Sequence, residues 1–310
     1  MEMNKGIKIL ITCAAFILIC CGHSGNAVKS GNTVKAQFAT AVAPSGTEDV
    51  ADYYRTADGK KGAGLKTALS SIIYNRRERQ YNDLWSDFKK TDVRTDGKIW
   101  DLYSGITAYE PVTKGMSYKK EGDCYNREHS FPNSWFGGTI QPMYTDLHHV
   151  YPTDGYVNNR RGNYPFGETN GERYKSARNF SKIGNCTYPG YSGTVFEPND
   201  EFKGDLARTY FYMVTCYEEQ LPDWFRNYGD KEGVRQTIDG KTYPGLTGWQ
   251  LEMLMKWAAA DPVSEKEVQR NNAVYGIQRN RNPFIDFPGL ERYIWGDLSN
   301  VPFSPASYSK

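Results

Sequence analysis

The sequence predicts an α+β fold of short strands with flanking helices, and three observations carry it. Apolar residues recur at helical spacing near both ends. The stretch from 104 to 200 is crowded with Gly, Pro, Asn and Tyr. No linker-like segment interrupts the run from 47 to 300. Hydrophobic residues at 39% and aromatics at 14% supply a core that a disordered chain lacks. A net charge of +2 over 310 residues gives no global basic field, so a nucleic-acid partner would have to be met by local charge or a metal ion.

Leu65, Ala68, Leu69, Ile72 and Ile73 predict an amphipathic helix over 64–75, and Tyr81 to Lys89 a second, short one. The Asp96-Gly97 turn predicts a strand over Lys98 to Tyr103. Phe202, Leu206, Tyr210, Met213 and Tyr217 form a helical stripe through 200–219, and Trp249 to Ala260 continues as helix. Ser264 followed by Glu267 is a capping-box start for a helix over 265–279, which Asn282-Pro283 should end. The reading is one domain over 47–300 with a tail at 301–310.

Lys5 and Lys8 precede the short apolar run Ile9 to Ile19, the pattern of an export signal rather than a membrane span. It ends in Leu18-Ile19-Cys20-Cys21-Gly22, which resembles a bacterial lipobox with Cys21 as the lipidated residue. Ordinary cleavage without lipid is the plainer alternative. Residues 22–46 carry no acid and many small residues, so they read as a flexible tether to a periplasmic, outer-membrane or surface location. Outside the signal stand three cysteines, Cys124, Cys186 and Cys216. An odd count leaves a free thiol, and no zinc-type spacing accompanies them.

Beyond His23 in the tether, the histidines are His129, His148 and His149, all in the irregular middle. Adjacent strand residues face opposite ways, so a three-histidine zinc site is disfavoured. No GxSxG turn offers a serine nucleophile. One histidine beside a carboxylate, with an amide on a following helix, suits water activation next to a hard cation. On a helix beginning near Thr153, Asn158 and Arg161 share a face, an oxygen ligand beside a fixed cation. Glu128 and His129 are consecutive, so both face one site only if the strand bends, which Pro132 would permit. His149 reads as a structural core histidine. Arg76 to Arg79 reads as a solvated helix end rather than a binding patch, and Tyr125, Trp135, Tyr144, Tyr151 and Tyr156 as packing rather than base-stacking residues.

Arg127-Glu128-His129-Ser130-Phe131-Pro132 with Trp135-Phe136-Gly137 resembles the first half of the bacterial endonuclease I family. Asp146-Leu147-His148, Gly155-Tyr156-Val157-Asn158 and Arg161-Gly162-Asn163-Tyr164 resemble its second half, and the likeness continues through Lys203 to Met213 and Gln278 to Phe284. The resemblance implies a His-Me finger (ββα-metal) core and an exported, largely sequence-nonspecific endonuclease that cleaves DNA, with RNA left open as a second substrate, leaving 5′-phosphate ends. It implies His129 as general base and Glu128 with Asn158 as ligands of Mg2+, with Mn2+ or Ca2+ as alternatives. The family's phosphate-contacting arginine follows the catalytic histidine, yet 133–145 contains neither Arg nor Lys. Arg161 or Arg127 is the expected substitute. His148 is expected to support the site, and Arg160 and Asn163 to face nucleic acid. The alternatives are a non-catalytic nucleic-acid- or glycan-binding surface lipoprotein of the same fold, and a small-molecule phosphoesterase.

Overall fold

A computed structural model describes residues 49–308. The signal, the tether and Cys21 lie outside the described residues. The chain is α+β. Helices α1 (Val50–Tyr53), α2 (Gly62–Ile73) and α3 (Leu84–Thr91) lead into β1 (Tyr125–His129), β2 (Val150–Asp154) and α4 (Gly155–Arg161). A three-stranded antiparallel sheet follows, built from β3 (Tyr174–Lys175), β4 (Lys182–Asn185) and β5 (Thr194–Glu197). Helices α5 (Lys203–Cys216), α6 (Leu221–Tyr228), α7 (Glu232–Thr237), α8 (Gly248–Ala260) and α9 (Glu265–Gln278) come next. The short α10 (Pro283–Asp286), α11 (Leu290–Ile294) and α12 (Pro305–Tyr308) close the chain.

The periodic segments fold where their spacing puts them, with one change of character. Every residue of α5 from Gly204 to Cys216 is buried, so it is a central helix rather than one with a single apolar stripe. Helices α2 and α8 pack on it. The Ser264–Glu267 capping box forms, but α9 stops at Arg279, which turns left-handed at φ 66°. Asn282 caps α10 instead of ending α9.

Other expectations change. Lys98 to Tyr103 is not a strand: apart from a single bridge between Val93 and Ile99 it is irregular, because Asp101 Oδ1 takes the backbone N–H groups of Tyr103 and Ser104. The folded chain also runs past 300, since Phe303 is wholly buried and α12 packs on α1. Arg76 is no solvated helix end. Its guanidinium is buried against Asp146, whose carboxylate also accepts Tyr212 Oη and Tyr217 Oη at 2.8 Å each and Gln278 Nε2 at 2.7 Å. Burial alone would raise the Asp146 pKa, but Arg76, helped by His148 and His149, carries it well below the usual range. Cys124, Cys186 and Cys216 are all free and buried.

Two strands alone are marginal in water, so the β1–β2 hairpin depends on its neighbours. Tyr125 and Val150 bury against Leu84 and Phe88 of α3 and Val274 of α9 in a second, smaller core. Each such side chain contributes about 1.5–3 kcal/mol. Arg270 of α9 pairs with Asp92 at 2.8 Å and donates to Val150 O at 3.0 Å, fixing the start of β2.

Candidate active site

β1 and β2 pair antiparallel, with Glu128 opposite Tyr151 and His129 opposite Val150, and α4 follows directly. The helix begins at Gly155 rather than near Thr153 because Asp154 is its cap. Asp154 Oδ1 accepts Val157 N–H at 2.8 Å, and Oδ2 accepts Tyr109 Oη at 2.5 Å and Gly122 N–H at 2.7 Å. A Cβ at 155 would stand 2.5 Å from the Tyr118 ring, so any larger residue there must displace that ring.

The strand does not bend, and Glu128 and His129 diverge as pleating requires. Glu128 faces α4. Its Oε1 accepts Tyr103 Oη at 2.8 Å and forms a buried ion pair with Arg161. Arg161 is wholly buried and donates further to His129 O at 3.1 Å, Ser130 O at 2.8 Å and Tyr210 Oη at 3.4 Å. Burial works against its charge, but Tyr103, Glu128 and Tyr210 more than offset that and hold it protonated. Arg161 therefore does not offer a phosphate the free fork that its place beside Asn158 suggested. It locks the end of β1 to the helix. Burial pushes the Glu128 carboxyl above its ordinary pKa, against the pull of Arg161 and Tyr103.

His129 points to the other face. Its Nε2 lies 2.9 Å from Tyr144 O, and its ring stacks on Tyr144 with centroids 5.0 Å apart. A carbonyl only accepts, so Nε2 carries the hydrogen and Nδ1 keeps its lone pair. Burial, with His149 nearby, lowers its pKa to about 3, which keeps the imidazole neutral at pH 7. His149 sits 5.6 Å from His129 and donates to the preceding carbonyl, Met143 O, at 2.6 Å. Two consecutive carbonyls of the long β1–β2 loop thus hold two histidines.

Arg127 shares the His129 face. Its guanidinium lies 3.6 Å from the Tyr81 ring and 4.2 Å from that of Trp85. It donates to Tyr81 O at 2.9 Å and reaches Met116 Sδ at 3.9 Å, while Nε is buried with no partner. Among the described residues it meets no carboxylate. Asn158 is half-buried on α4 and donates through Nδ2 to Arg127 O at 3.5 Å, which leaves Oδ1.

His148 joins neither face. Its Nε2 meets Asn280 O at 3.2 Å and its ring packs on Tyr212, so it braces the loop against α5 and the α9–α10 connection. Arg160 is exposed over Tyr174, and Asn163 is exposed beyond the helix. Sequence reasoning missed Tyr103, Tyr81 and Trp85. Their only signal was aromatic composition, since the contacts that define them are long-range. Of the five aromatics weighed as stacking residues, Tyr125, Trp135 and Tyr151 are core, while Tyr144 and Tyr156 are half-buried.

Among the described residues no group of three or more His, Cys, Asp or Glu is arranged to hold a metal ion. The donors at the β1–α4 interface are oxygen: Glu128, with Oε2 outside its two bonds, and Asn158 with Oδ1. Such a set fits a hard cation that keeps several waters, and does not fit zinc.

The endonuclease I family model matches residues 61–289. The chain is 37% identical over 272 residues to an extracellular ribonuclease of Bacillus amyloliquefaciens, covering 86% of this chain and 85% of that one. It is 34% identical over 271 residues to an extracellular ribonuclease of Bacillus subtilis, covering 86% and 85%. It is 27% identical over 245 residues to an extracellular deoxyribonuclease of Aeromonas hydrophila, covering 70% and 91%. With its ββα unit in place and that match spanning most of its length, the chain belongs to the endonuclease I family.

Proposed function

We propose that this chain is an exported, divalent-metal-dependent endonuclease that hydrolyses phosphodiesters of RNA and DNA with His129 as general base. The observation that carries the reading is the His129 imidazole at the end of β1, kept neutral by burial and held in one tautomer by Tyr144 O. Its Nδ1 accepts a proton from water as the water oxygen bonds to phosphorus. The bond to the 3′ oxygen breaks, and that oxygen takes up a proton, leaving 3′-hydroxyl and 5′-phosphate ends. Glu128 and Asn158 would hold the cation on the α4 side of β1; because β1 ends at His129, the phosphate would lie across that end, between the cation and the imidazole, where a bound Mg2+ would supply charge neutralisation. Arg127, with no carboxylate partner, is the arginine that meets the phosphate in place of Arg161.

The extracellular relatives and the basic-then-apolar leader support export, and Cys21 is the proposed lipid anchor. The test is plasmid nicking and RNA cleavage by residues 47–310 with Mg2+, Mn2+, Ca2+ or EDTA, comparing wild type with His129→Ala. We expect metal-dependent cleavage of RNA and DNA that falls at least 100-fold in the variant. A folded wild type that cuts neither substrate with any of these metals would leave only a binding role for the fold.

A further inference from the structure

The outer face of the hairpin carries a feature that general-base chemistry does not need. His129, Tyr144 and Tyr81 form a cluster of three rings, with His129 and Tyr81 6.1 Å apart, and beyond them follow a cation, a ring and a second cation. Tyr144 stacks on His129, and Tyr81 stacks on Tyr144 with centroids 4.3 Å apart at 26°. Arg127 lies between Tyr81 and Trp85. Lys114 then lies over Trp85, its Nζ 5.2 Å from the ring centroid. Tyr144, Tyr81 and Trp85 are each half-buried and Lys114 is exposed, so the ladder meets solvent along its length. The Arg127 guanidinium is held by two partly exposed rings and one carbonyl and, among the described residues, meets no carboxylate. Burial works against the Arg127 charge, yet its best acceptor is one backbone carbonyl.

Rings interleaved with cations match a single nucleic-acid strand, whose bases stack on aromatic faces while its phosphates seek positive charge. In a duplex the base faces are already stacked on one another, so only the phosphates could use this surface. We infer that Tyr144, Tyr81, Arg127, Trp85 and Lys114 form a binding track for the single-stranded nucleotides flanking the scissile phosphate, which makes the enzyme selective for unpaired RNA or DNA over duplex. This rests on the nuclease reading and names its substrate form. Trp85 and Lys114 are positioning residues at the far end, where they touch neither the reacting atoms nor His129.

The experiment measures kcat/KM on a 12-nucleotide single-stranded RNA and on the same RNA annealed to its complement. It compares wild type, Trp85→Ala, Trp85→Phe and Lys114→Ala. Binding of the single strand to His129→Ala, with and without the second substitution, is followed by fluorescence anisotropy. We expect wild type to favour the single strand by tenfold or more. Trp85→Ala should erase most of that ratio through KM, and Trp85→Phe should restore it. Lys114→Ala, on an exposed loop that tolerates the change, should lower the slope of log affinity against log salt by about 0.7. Equal cleavage of both forms by wild type, or an equal loss on both in Trp85→Ala, overturns the track while leaving the nuclease intact. If nothing is cleaved, Trp85-dependent binding by His129→Ala still supports the track. No cleavage and no binding overturns both readings.

Discussion

Arg161 and Arg127 lie on opposite faces of one hairpin, and the chain treats their charges in opposite ways. Arg161 is enclosed by Glu128, two backbone carbonyls and two tyrosine hydroxyl groups near at hand, so its cation is fully used in joining β1 to α4. Arg127 has two aromatic faces, one carbonyl and, among the described residues, no carboxylate. The difference teaches where to look for a ligand. A buried charge that has found its counter-ion holds structure, whereas one left uncompensated beside a neutral histidine is arranged for an anion that arrives later.

The sharpest way to break this comparison is through stability. Arg161→Met strands a buried carboxylate at Glu128 and should cost about 3–5 kcal/mol. Arg127→Met gives up contacts with two rings, each worth about 0.5–2 kcal/mol, and should cost clearly less. Urea unfolding of both variants decides the matter, and equal losses would mean that both arginines are structural. A double variant, Arg161→Met with Glu128→Gln, should recover part of the loss because no charge is then left unpaired.

The next test sharpens the functional side. Arg127→Gln should lower kcat/KM on single-stranded RNA by about 10- to 100-fold, the scale of one charge-assisted contact to a phosphate. An unchanged kcat/KM in a folded Arg127→Gln protein would return Arg127 to a packing role.

A last test separates both arginines from the histidines behind them. Burial, against the pull of Asp146, lowers the pKa of His148 to about 3 and that of His149 to about 4. The unfolded chain protonates such rings near pH 6.5. Their contribution is therefore fully present above pH 6.5 and is lost as the pH falls toward 3–4, because only the unfolded state takes up the protons. Each ring should remove at most about 1.4 kcal/mol per pH unit in that window. Urea midpoints at pH 7.5, 6 and 5 should decline steadily, and His148→Gln should flatten the decline. A midpoint that does not move between pH 7.5 and 5 would show that neither ring is kept neutral by the fold.

How much was legible follows the range of the interactions. The helices α2, α5, α8 and α9 repeat their apolar residues within a few positions, so spacing alone located them. The capping box spans only Ser264 to Glu267 and could be read directly. The Lys98 to Tyr103 segment, read as a strand from the Asp96-Gly97 turn, misled because Asp101 gathers backbone donors and ties the loop to Asp154. The site divides along the same line. His129, Glu128 and Asn158 were legible as a set of ordered motifs, and the ββα unit that carries them is present. The fate of Arg161 was hidden, since Tyr103 and Tyr210 lie far from it in sequence.

By itself, then, the sequence marked the candidate residues and predicted the helix that carries Asn158. Residue type and short-range periodicity are local properties, written in the order of the chain. Only the tertiary structure decided which cations are enclosed and which are left open. Burial and pairing depend on groups such as Tyr81, Trp85 and Tyr103 that reach the hairpin from 25 to 48 residues away. Desolvation is set by everything that surrounds a charge, and no stretch of chain carries that information alone.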